Sequence, residues 1–212
     1  MTQRTVSEDL FERLCVDLGI PCRQVPCGAG KTPDFDIEFS GNTVVTELKQ
    51  LDLNDTDKAI SDCVRRTGRA SGFSTSDDRV RRKINEANPQ LKARSGGLLP
   101  TMIVLYDNGT FGGIDYIDIK TAMFGDEKVV VTIINHETRD VTPIHPGGGR
   151  RMTDRCNTTI SAVALLTGSL DSASLSIFHN HYAAIPIDPG WFRHERVRHF
   201  ALASNCYEWT AL

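Results

Sequence analysis

Three ionisable side chains lie close enough along the chain to share one site. Asp34 precedes residues 35–39, where apolar and acidic residues alternate with a period of two, which predicts a half-buried strand. Residues 40–42 (Ser-Gly-Asn) are typical of a turn. Glu47 and Lys49 follow on a second alternating segment, on one face and roughly 6.6 Å apart. The pattern therefore predicts a hairpin with two carboxylates and an amine on one sheet face.

Two carboxylates and an ammonium group in this arrangement are suited to the hydrolysis of phosphate esters. Carboxylate oxygens are hard ligands that bind Mg²⁺, an ion that keeps several waters and also accepts phosphate oxygens. Such an ion lowers the pKa of its bound water and neutralises charge on the phosphate. A neighbouring lysine can orient the attacking water. The residues predict an Mg²⁺ (or Mn²⁺) site at Asp34 and Glu47, with Lys49 beside it.

The motif also resembles that of a known family. Pro33-Asp34, twelve residues and Glu47-Leu48-Lys49 are similar to the PD-(D/E)xK signature of the restriction-endonuclease-like superfamily, which includes Holliday-junction resolvases. The resemblance covers about the first fifty residues. It implies that the two carboxylates and the carbonyl of Leu48 hold the metal and that Lys49 acts on the attacking water. The alternative is an ordinary antiparallel hairpin with a solvated polar face.

A helix is expected upstream over residues 7–19, with the serine at its start as N-cap and the glycine at its end as stop. The resembled superfamily often carries a glutamate on this helix near the metal, and Glu8 fits that position better than Glu12. Both glutamates would also favour the positive end of the helix dipole without a catalytic role. Asp36 shares a strand face with Asp34 and is the alternative ligand if the strand is shifted.

The remaining segments predict an α/β fold. Helices are expected over residues 57–66, 77–91 and 114–124, and strands over residues 21–27, 98–106, 128–135, 158–166 and 174–179. Residues 136–157 show no periodic pattern and are expected to be irregular. The resemblance implies an αβββαβ core in a restriction-endonuclease-like mixed central sheet flanked by helices. A single nuclease-like domain would span residues 1–212, with extra C-terminal strands in an extension over residues 128–212.

Basic side chains outnumber acidic ones in a helical segment near residues 55–95. Clusters of lysine and arginine contact nucleic-acid phosphates, and this segment directly follows Lys49 in the chain. The pattern favours a DNA-binding surface beside the proposed site. The expected contacts are Lys31, Arg65, Arg66, Arg69, Arg81, Arg82 and Lys83. The alternative is that these residues form the solvated faces of two helices.

Two short motifs resemble known sites in their letters only. The Gly-Lys-Thr triplet at residues 30–32 ends like a P-loop, but the first glycine of that pattern would fall at Val25. A strand is also predicted where a P-loop needs a helix. The His-Asn-His triplet at residues 179–181 places two histidines on one strand face without an evident third ligand. We expect no metal there and no binding of a nucleoside triphosphate.

Composition limits the classes of protein that fit. The hydrophobic fraction of 40% is enough for a core, and the net charge of -3 argues against a wholly basic coat but not against a basic groove. No apolar run reaches membrane-spanning length or resembles a signal peptide. The six cysteines show neither a Cys-x-x-Cys pair nor a zinc spacing. A cytoplasmic protein with reduced cysteines and no membrane partner is expected.

The sequence therefore predicts a metal-dependent deoxyribonuclease, an endonuclease that hydrolyses DNA phosphodiester bonds with Mg²⁺ or Mn²⁺. A homodimer would allow both strands to be cut at one place. The second interpretation is a catalytically inactive protein of the same fold that binds nucleic acid or serves in an assembly. Retention of Asp34, Glu47 and Lys49 argues against such a degenerate copy. The third interpretation is a nucleotide-dependent enzyme that uses residues 30–32.

Overall fold

The computed structural model describes residues 4–26, 32–69, 76–109, 113–133, 139–203 and 208–212. The elements, in chain order, are α1 (Val6–Asp17), β1 (Cys22–Gln24), β2 (Phe35–Phe39), β3 (Asn42–Asp52), α2 (Asp55–Thr67), α3 (Ser76–Ser95), β4 (Thr101–Asn108), α4 (Tyr116–Phe124), β5 (Glu127–Ile133), β6 (Arg139–Pro146), β7 (Ala162–Thr167), β8 (Ser174–His179), a 3₁₀ turn (Pro189–Phe192), β9 (Val197–Leu202) and β10 (Trp209–Ala211).

An eight-stranded sheet is the centre of the fold, with the strands in the order β1-β2-β3-β4-β7-β8-β9-β10. β4 runs parallel to both β3 and β7, and β8 runs parallel to β9. The other neighbours are antiparallel. β5 and β6 pair with each other as a separate hairpin. The fold class is therefore mixed α/β with one large sheet flanked by helices, as the sequence predicts.

The turn between β2 and β3 determines which residues face each other. Ser40 and Gly41 both have positive φ values, 46° and 80°, as a two-residue type I′ hairpin requires. Phe35 then lies opposite Thr46. Because side chains alternate along a strand, a shift of one residue would move every side chain of β3 to the other face. The predicted turn therefore sets the register of the whole hairpin.

Apolar side chains cover both faces of the large sheet. On one face, Phe11 of α1 packs against Phe35 of β2 with ring centroids 5.7 Å apart. On the other face, α3 and α4 cover Ile103 of β4 and its neighbours. β3 contributes side chains to both layers, and alternation assigns Glu47 and Lys49 to the face beneath α3. The proposed site therefore lies where helix α3 can contribute side chains to it.

Helix α1 begins two residues earlier than the sequence analysis placed it, because its N-cap is Thr5 and not Ser7. The Thr5 hydroxyl accepts the N–H of Glu8 (3.3 Å), and the Glu8 carboxylate accepts the N–H of Thr5 (2.6 Å), which completes a capping box. Ser7 is buried instead, and its N–H donates to Oε1 of Gln50 (3.2 Å). The helix ends before Gly19, whose φ is 64°.

The other predicted helices are present with shifted ends. α3 continues past the expected end at residue 91 to Ser95, and Pro89 lies in its interior, as in the predicted helix. Buried Ala87 and Leu91 anchor the turns around the proline, and an ion pair between Arg94 and Asp36 of β2 holds the last turn. Tertiary packing therefore overrides the cost of an interior proline. None of the described helices is both long and apolar enough to cross a lipid bilayer.

Three strands were not predicted. β6 lies inside residues 136–157, which the sequence analysis took as irregular, and it is held by antiparallel pairing with β5. β9 and β10 extend the sheet beyond β8, within the predicted C-terminal extension but past the last strand assigned there, at residues 174–179. All three depend on pairing with a neighbouring strand, so their own short sequences carry a weak signal.

Candidate active site

The β2–β3 hairpin brings the three motif residues together. Continuing its register by one pair places Asp34 directly opposite Glu47. Oδ2 of Asp34 accepts the N–H of Leu48 at 2.7 Å, and Nζ of Lys49 donates to Oε1 of Glu47 at 2.5 Å. Two carboxyl groups and one amine thus share one face of the sheet, in the arrangement that the motif predicts.

Both carboxyl groups occupy an environment that disfavours their charged forms. Burial, followed by the charge of Asp34, raises the pKa of Glu47 to about 7, although Lys49 and Gln90 act in the opposite direction. Burial also raises the pKa of Asp34, against the hydrogen bond from Leu48 and the charge of Lys49. One lysine is therefore too little positive charge for two adjacent buried carboxylates. Either a shared proton or a bound cation would supply the rest.

One oxygen of this group has no partner. Glu47 is 1% exposed, and its Oε2 atom is buried without a hydrogen bond. Leaving such an oxygen unsatisfied is costly, and carboxylate oxygens are the donors that Mg²⁺ prefers. Among the described residues, no three His, Cys, Asp or Glu side chains form a complete metal cluster. Asp34 and Glu47 fit an ion that takes two carboxylates and fills its remaining positions with water.

Glu8, the predicted residue on the first helix, lies near enough to influence the site. Its negative charge contributes to the raised pKa of Asp34. Its Oε2 atom is nevertheless engaged by the N–H and hydroxyl of Thr5, at 2.6 and 3.0 Å. Glu12, which the sequence analysis ranked below Glu8, forms an ion pair with Arg4 at 2.7 Å. Glu8 is therefore the glutamate of α1 whose charge acts on Asp34, with one oxygen committed to the helix cap.

Asp36, the alternative ligand, is already neutralised. Nη2 of Arg94 on α3 lies 2.5 Å from Oδ2 of Asp36, and Nε of the same side chain lies 3.4 Å from Oδ1. Asp36 is 7% exposed. The strand is not shifted from the predicted register, and Asp36 has a cation of the chain itself as its partner. Its assignment as a metal ligand is therefore disfavoured.

Gln90 is a site residue that the sequence analysis missed. Its Nε2 atom donates to the carbonyl of Thr32 at 3.0 Å, and the side chain lies close enough to Glu47 to lower the pKa of that carboxyl group. α3 thus ties the residues before β2 to the carboxylate on β3. Gln90 stands beside Leu91, one of the buried residues of α3. A polar residue at the margin of a buried helical stripe was the only sequence signal for it.

The predicted phosphate contacts do not form one uniform surface. Arg65, Arg66 and Arg69 are exposed at the C-terminal end of α2. On α3, Arg82 is 66% exposed and Lys83 is 21% exposed, and both approach the carboxylate of Glu86. Lys31, and most of the Gly-Lys-Thr triplet with it, lies outside the described residues. Among the predicted contacts that the structure describes, Arg65, Arg66, Arg69 and Arg82 are therefore the exposed ones.

Arg81 differs from its neighbours and is not a surface cation. Its guanidinium lies 2.7 Å from Asp77, 2.8 Å from Asp78 and 2.5 Å from Asp126, and the side chain is only 10% exposed. These carboxylates raise the pKa of Arg81, although burial acts against them. Arg81 joins α3 to the segment after α4. Its expected contact with DNA phosphate is therefore contradicted by its position.

The two histidines of the His-Asn-His triplet do not share a face, contrary to the alternation that was assumed. Nε2 of His179 lies 2.9 Å from Nδ1 of His199, next to the layer that contains α1. His181 stacks on Phe124 at 4.7 Å, in the layer that contains α4. The reason is that β8 ends at His179 and the chain turns immediately afterwards.

Comparisons of this chain with protein-family models, curated proteins and solved structures found no match. The residues that the fold brings together therefore provide the basis for a functional interpretation. They are the Asp34–Glu47 carboxyl pair, Lys49, Gln90 and, at the edge of the group, Glu8.

Proposed function

We propose that this protein is a metal-dependent endonuclease that hydrolyses phosphodiester bonds in DNA. The observation that carries the proposal is the Asp34–Glu47 pair, in which Glu47 is buried with an unpartnered oxygen and has Lys49 beside it. Raised pKa values of both carboxyl groups indicate that positive charge is lacking there. A divalent cation and a phosphate ester are the ligand and substrate that such a group suits best.

Each residue of the group has a distinct role in this proposal. Asp34 and Glu47, with the carbonyl of Leu48, hold Mg²⁺ or Mn²⁺, which supplies a polarised water and neutralises charge on the phosphate. Lys49 exchanges its ion pair with Glu47 for the attacking water or a phosphate oxygen. Glu8, whose charge acts on Asp34, holds a second metal or a metal-bound water.

The order of elements supports the restriction-endonuclease-like assignment within the mixed α/β class. α1 is followed by β1, β2 and β3, and then by α2, α3 and β4. This is the proposed αβββαβ core with one additional helix. β7 to β10 extend the sheet on the far side of β4. The proposed site lies within this core, on the hairpin that the core provides.

The proposed partner is DNA. Arg65 and Arg66 lie at the C-terminal end of α2 and Arg69 follows that helix, which itself follows the strand carrying Glu47 and Lys49. Their exposed guanidinium groups suit phosphate contacts, although Arg65 has Asp62 as a neighbour at 3.3 Å. Arg82 and Lys83 of α3 are further contacts, and both have Glu86 as a neighbour. Cleavage of both strands at one place requires two active sites, which a homodimer would supply.

A catalytically inactive nucleic-acid-binding or assembly module of the same fold is the second candidate. The observation that favours it is the 2.5 Å ion pair between Lys49 and Glu47. That contact already neutralises one of the two carboxylates without a metal. Binding of DNA in EDTA, with no cleavage after Mg²⁺ or Mn²⁺ is added, would support this candidate.

The direct test is a cleavage assay on duplex, branched and single-stranded DNA with Mg²⁺ or Mn²⁺. Glu47→Gln and Lys49→Ala should each reduce the cleavage rate by about 1,000-fold or more while leaving the fold intact. Glu38→Gln, an exposed position on β2 whose partner Arg23 is also exposed, is the matched control and should cleave normally. Undiminished cleavage by Glu47→Gln or Lys49→Ala would overturn the site assignment.

A further inference from the structure

A second pocket lies on the same face of the sheet as the proposed active site. The strand register connects Lys49 to Leu105, Leu165, Ser176 and Arg198 in one row across β3, β4, β7, β8 and β9. Because neighbouring strands are about 4.8 Å apart, the two ends of this row are roughly 19 Å apart. α4 covers the middle of the row, and the pocket lies beyond it, over β7 to β9.

The floor and walls of this pocket are aromatic. Its volume is about 560 Å³, within the usual range for a small-molecule site. Phe178 and Phe200 stack with ring centroids 5.2 Å apart, and Trp209 packs on Phe178 at 4.9 Å. The indole N–H of Trp209 donates to the carbonyl of Tyr116 at 2.9 Å, which fixes the ring against α4. The polar atom of Trp209 is thereby satisfied within the protein, and a ring face contributes to the lining.

Two polar groups stand at the rim, side by side on paired strands. Ser176 of β8 lies opposite Arg198 of β9, and both side chains line the pocket. A carboxylate also lines it, that of Asp115, but Oδ1 of Asp115 accepts the N–H groups of Ile117 and Asp118 and caps α4. The rim therefore offers a guanidinium and a hydroxyl above an aromatic slot.

We propose that this pocket binds a nucleotide, with the base against Phe200 and Trp209 and the phosphate at Arg198. Stacking on aromatic rings combined with a cationic rim is the usual means of binding unpaired nucleotides. An aliphatic ligand would leave the guanidinium without a partner. The choice of a nucleotide over other planar anions rests on the proposed function, because this sheet face also carries the proposed cleavage site. The nucleotide belongs either to an unpaired stretch of the DNA substrate or to a free mononucleotide.

The fluorescence of Trp209 can report ligand binding in the pocket. The chain has two tryptophans, so Trp191→Phe leaves Trp209 as the sole reporter of fluorescence. In EDTA, with Glu47→Gln also present to exclude cleavage, deoxynucleoside monophosphates and short single-stranded DNA should quench Trp209. The corresponding nucleosides should bind about tenfold more weakly, because they lack the phosphate. Quenching by single-stranded DNA but not by mononucleotides shows that the bound nucleotide belongs to DNA. Quenching by mononucleotides as well identifies a site for free nucleotides.

Two variants separate the roles of the rim and the walls. Arg198→Gln should weaken binding of the mononucleotide about tenfold and leave nucleoside binding unchanged. Phe200→Leu keeps an apolar wall but removes a stacking surface, so it should weaken both ligands by about tenfold. Arg193→Gln, another exposed arginine of the C-terminal region, is the matched control and should bind normally. Circular dichroism and thermal unfolding verify that each variant is folded.

The outcomes distinguish this proposal from the nuclease proposal. Absence of quenching at millimolar concentrations of every ligand, or quenching by mononucleotide that is unchanged in Arg198→Gln, overturns the pocket assignment. Quenching that follows the expected pattern in a protein that never cleaves DNA supports the pocket and removes the nuclease activity. Cleavage by the wild-type protein without any change in Trp209 fluorescence supports the nuclease activity and overturns the pocket assignment.

Discussion

Asp34 and Asp36 make an informative comparison, because they lie two residues apart and their side chains are on the same face of the β2–β3 hairpin. Asp36 is 7% exposed and is held by the guanidinium of Arg94 from α3. Asp34 instead has the N–H of Leu48 as its donor and lies opposite a second carboxylate, that of Glu47. The same residue type on the same strand face thus has two different electrostatic environments.

The difference separates a carboxylate whose charge is compensated within the chain from one that is a metal ligand in the proposed function. The burial cost of Asp36 is offset by a cation of the chain itself, so this ion pair is complete. At Asp34 and Glu47 the chain provides a single lysine for two carboxyl groups, and burial raises the pKa of both. A buried group that lacks its counter-charge has to obtain it from a proton or from a bound cation. Such incomplete compensation is characteristic of functional sites.

The difference between Asp34 and Asp36 is tested most directly by neutralising each aspartate separately. Asp34→Asn should reduce cleavage by about 1,000-fold with little loss of stability, because it removes a metal ligand. Asp36→Asn should retain cleavage within about tenfold but lower the free energy of unfolding by about 1–2 kcal/mol, because Arg94 loses its partner. The loss of stability in Asp36→Asn is limited because the Arg94 side chain is 46% exposed and water can solvate its charge. Initial cleavage rates and urea denaturation would measure both effects.

Equal loss of cleavage in two folded variants would identify Asp36 as a second essential carboxylate. The comparison between a structural and a functional aspartate would then be wrong. Glu38→Gln serves as the common control, since Glu38 lies on the same strand and pairs with an exposed arginine.

A second test uses the pH dependence of stability in metal-free buffer. The pKa of Glu47 in the folded protein is about 7, above its ordinary value of 4.5. The folded state therefore binds a proton that the unfolded state releases, so the contribution of Glu47 to stability is fully present below about pH 4.5 and is lost as the pH rises to 7. The loss should be about 3 kcal/mol. Chemical denaturation at several pH values should show this loss in the wild type and a much flatter profile in Glu47→Gln. A Glu47→Gln profile as steep as that of the wild type would assign the titration to another group.

The hairpin could be predicted from sequence because its determinants are local. The alternation on both sides of Ser40-Gly41 fixes two strands, and the positive φ of these two residues fixes their register. Asp34 and Glu47 then face each other without any contribution from the rest of the chain. The capping box of α1 was equally local, since Thr5 stands three residues before Glu8, and its signal was overlooked in favour of Ser7.

The partners that complete or complicate the site could not be predicted, because they depend on how α3 lies across the sheet. Gln90, Arg94 and Arg81 are all polar residues of one helix. Only the packed structure shows that the first contacts Glu47, the second neutralises Asp36 and the third is enclosed by three carboxylates. Basic composition alone treated Arg81 and the exposed arginines of α2 as equivalent. Long-range packing, not residue type, decides which cations remain accessible at the surface.

Metal binding offers a third test, which does not depend on knowing the substrate. If the Asp34–Glu47 pair binds Mg²⁺ or Mn²⁺, a concentration 100 times the dissociation constant should stabilise the fold by about 2.7 kcal/mol. The stabilisation should be absent from Glu47→Gln and retained in Glu38→Gln. Thermal unfolding with and without metal, at pH 8 where Glu47 is ionised, would measure it. Equal stabilisation of both variants would place the bound ion elsewhere in the protein.

Substitution of Gln90 should have the smallest and most specific effect of the changes proposed at this site. Its side chain lowers the pKa of Glu47, and its amide donates to the carbonyl of Thr32 before β2. In Gln90→Ala, the pKa of Glu47 should rise further and cleavage should fall by about tenfold near neutral pH, with the acidic limb of the pH–rate profile moved to higher pH. Lys92→Ala, an exposed position on the same helix, is the control. A lowered melting temperature with an unchanged acidic limb of the pH–rate profile would mean that Gln90 only stabilises the hairpin. A shifted acidic limb in a fully stable protein would show that α3 lowers the pKa of the Glu47 carboxyl group.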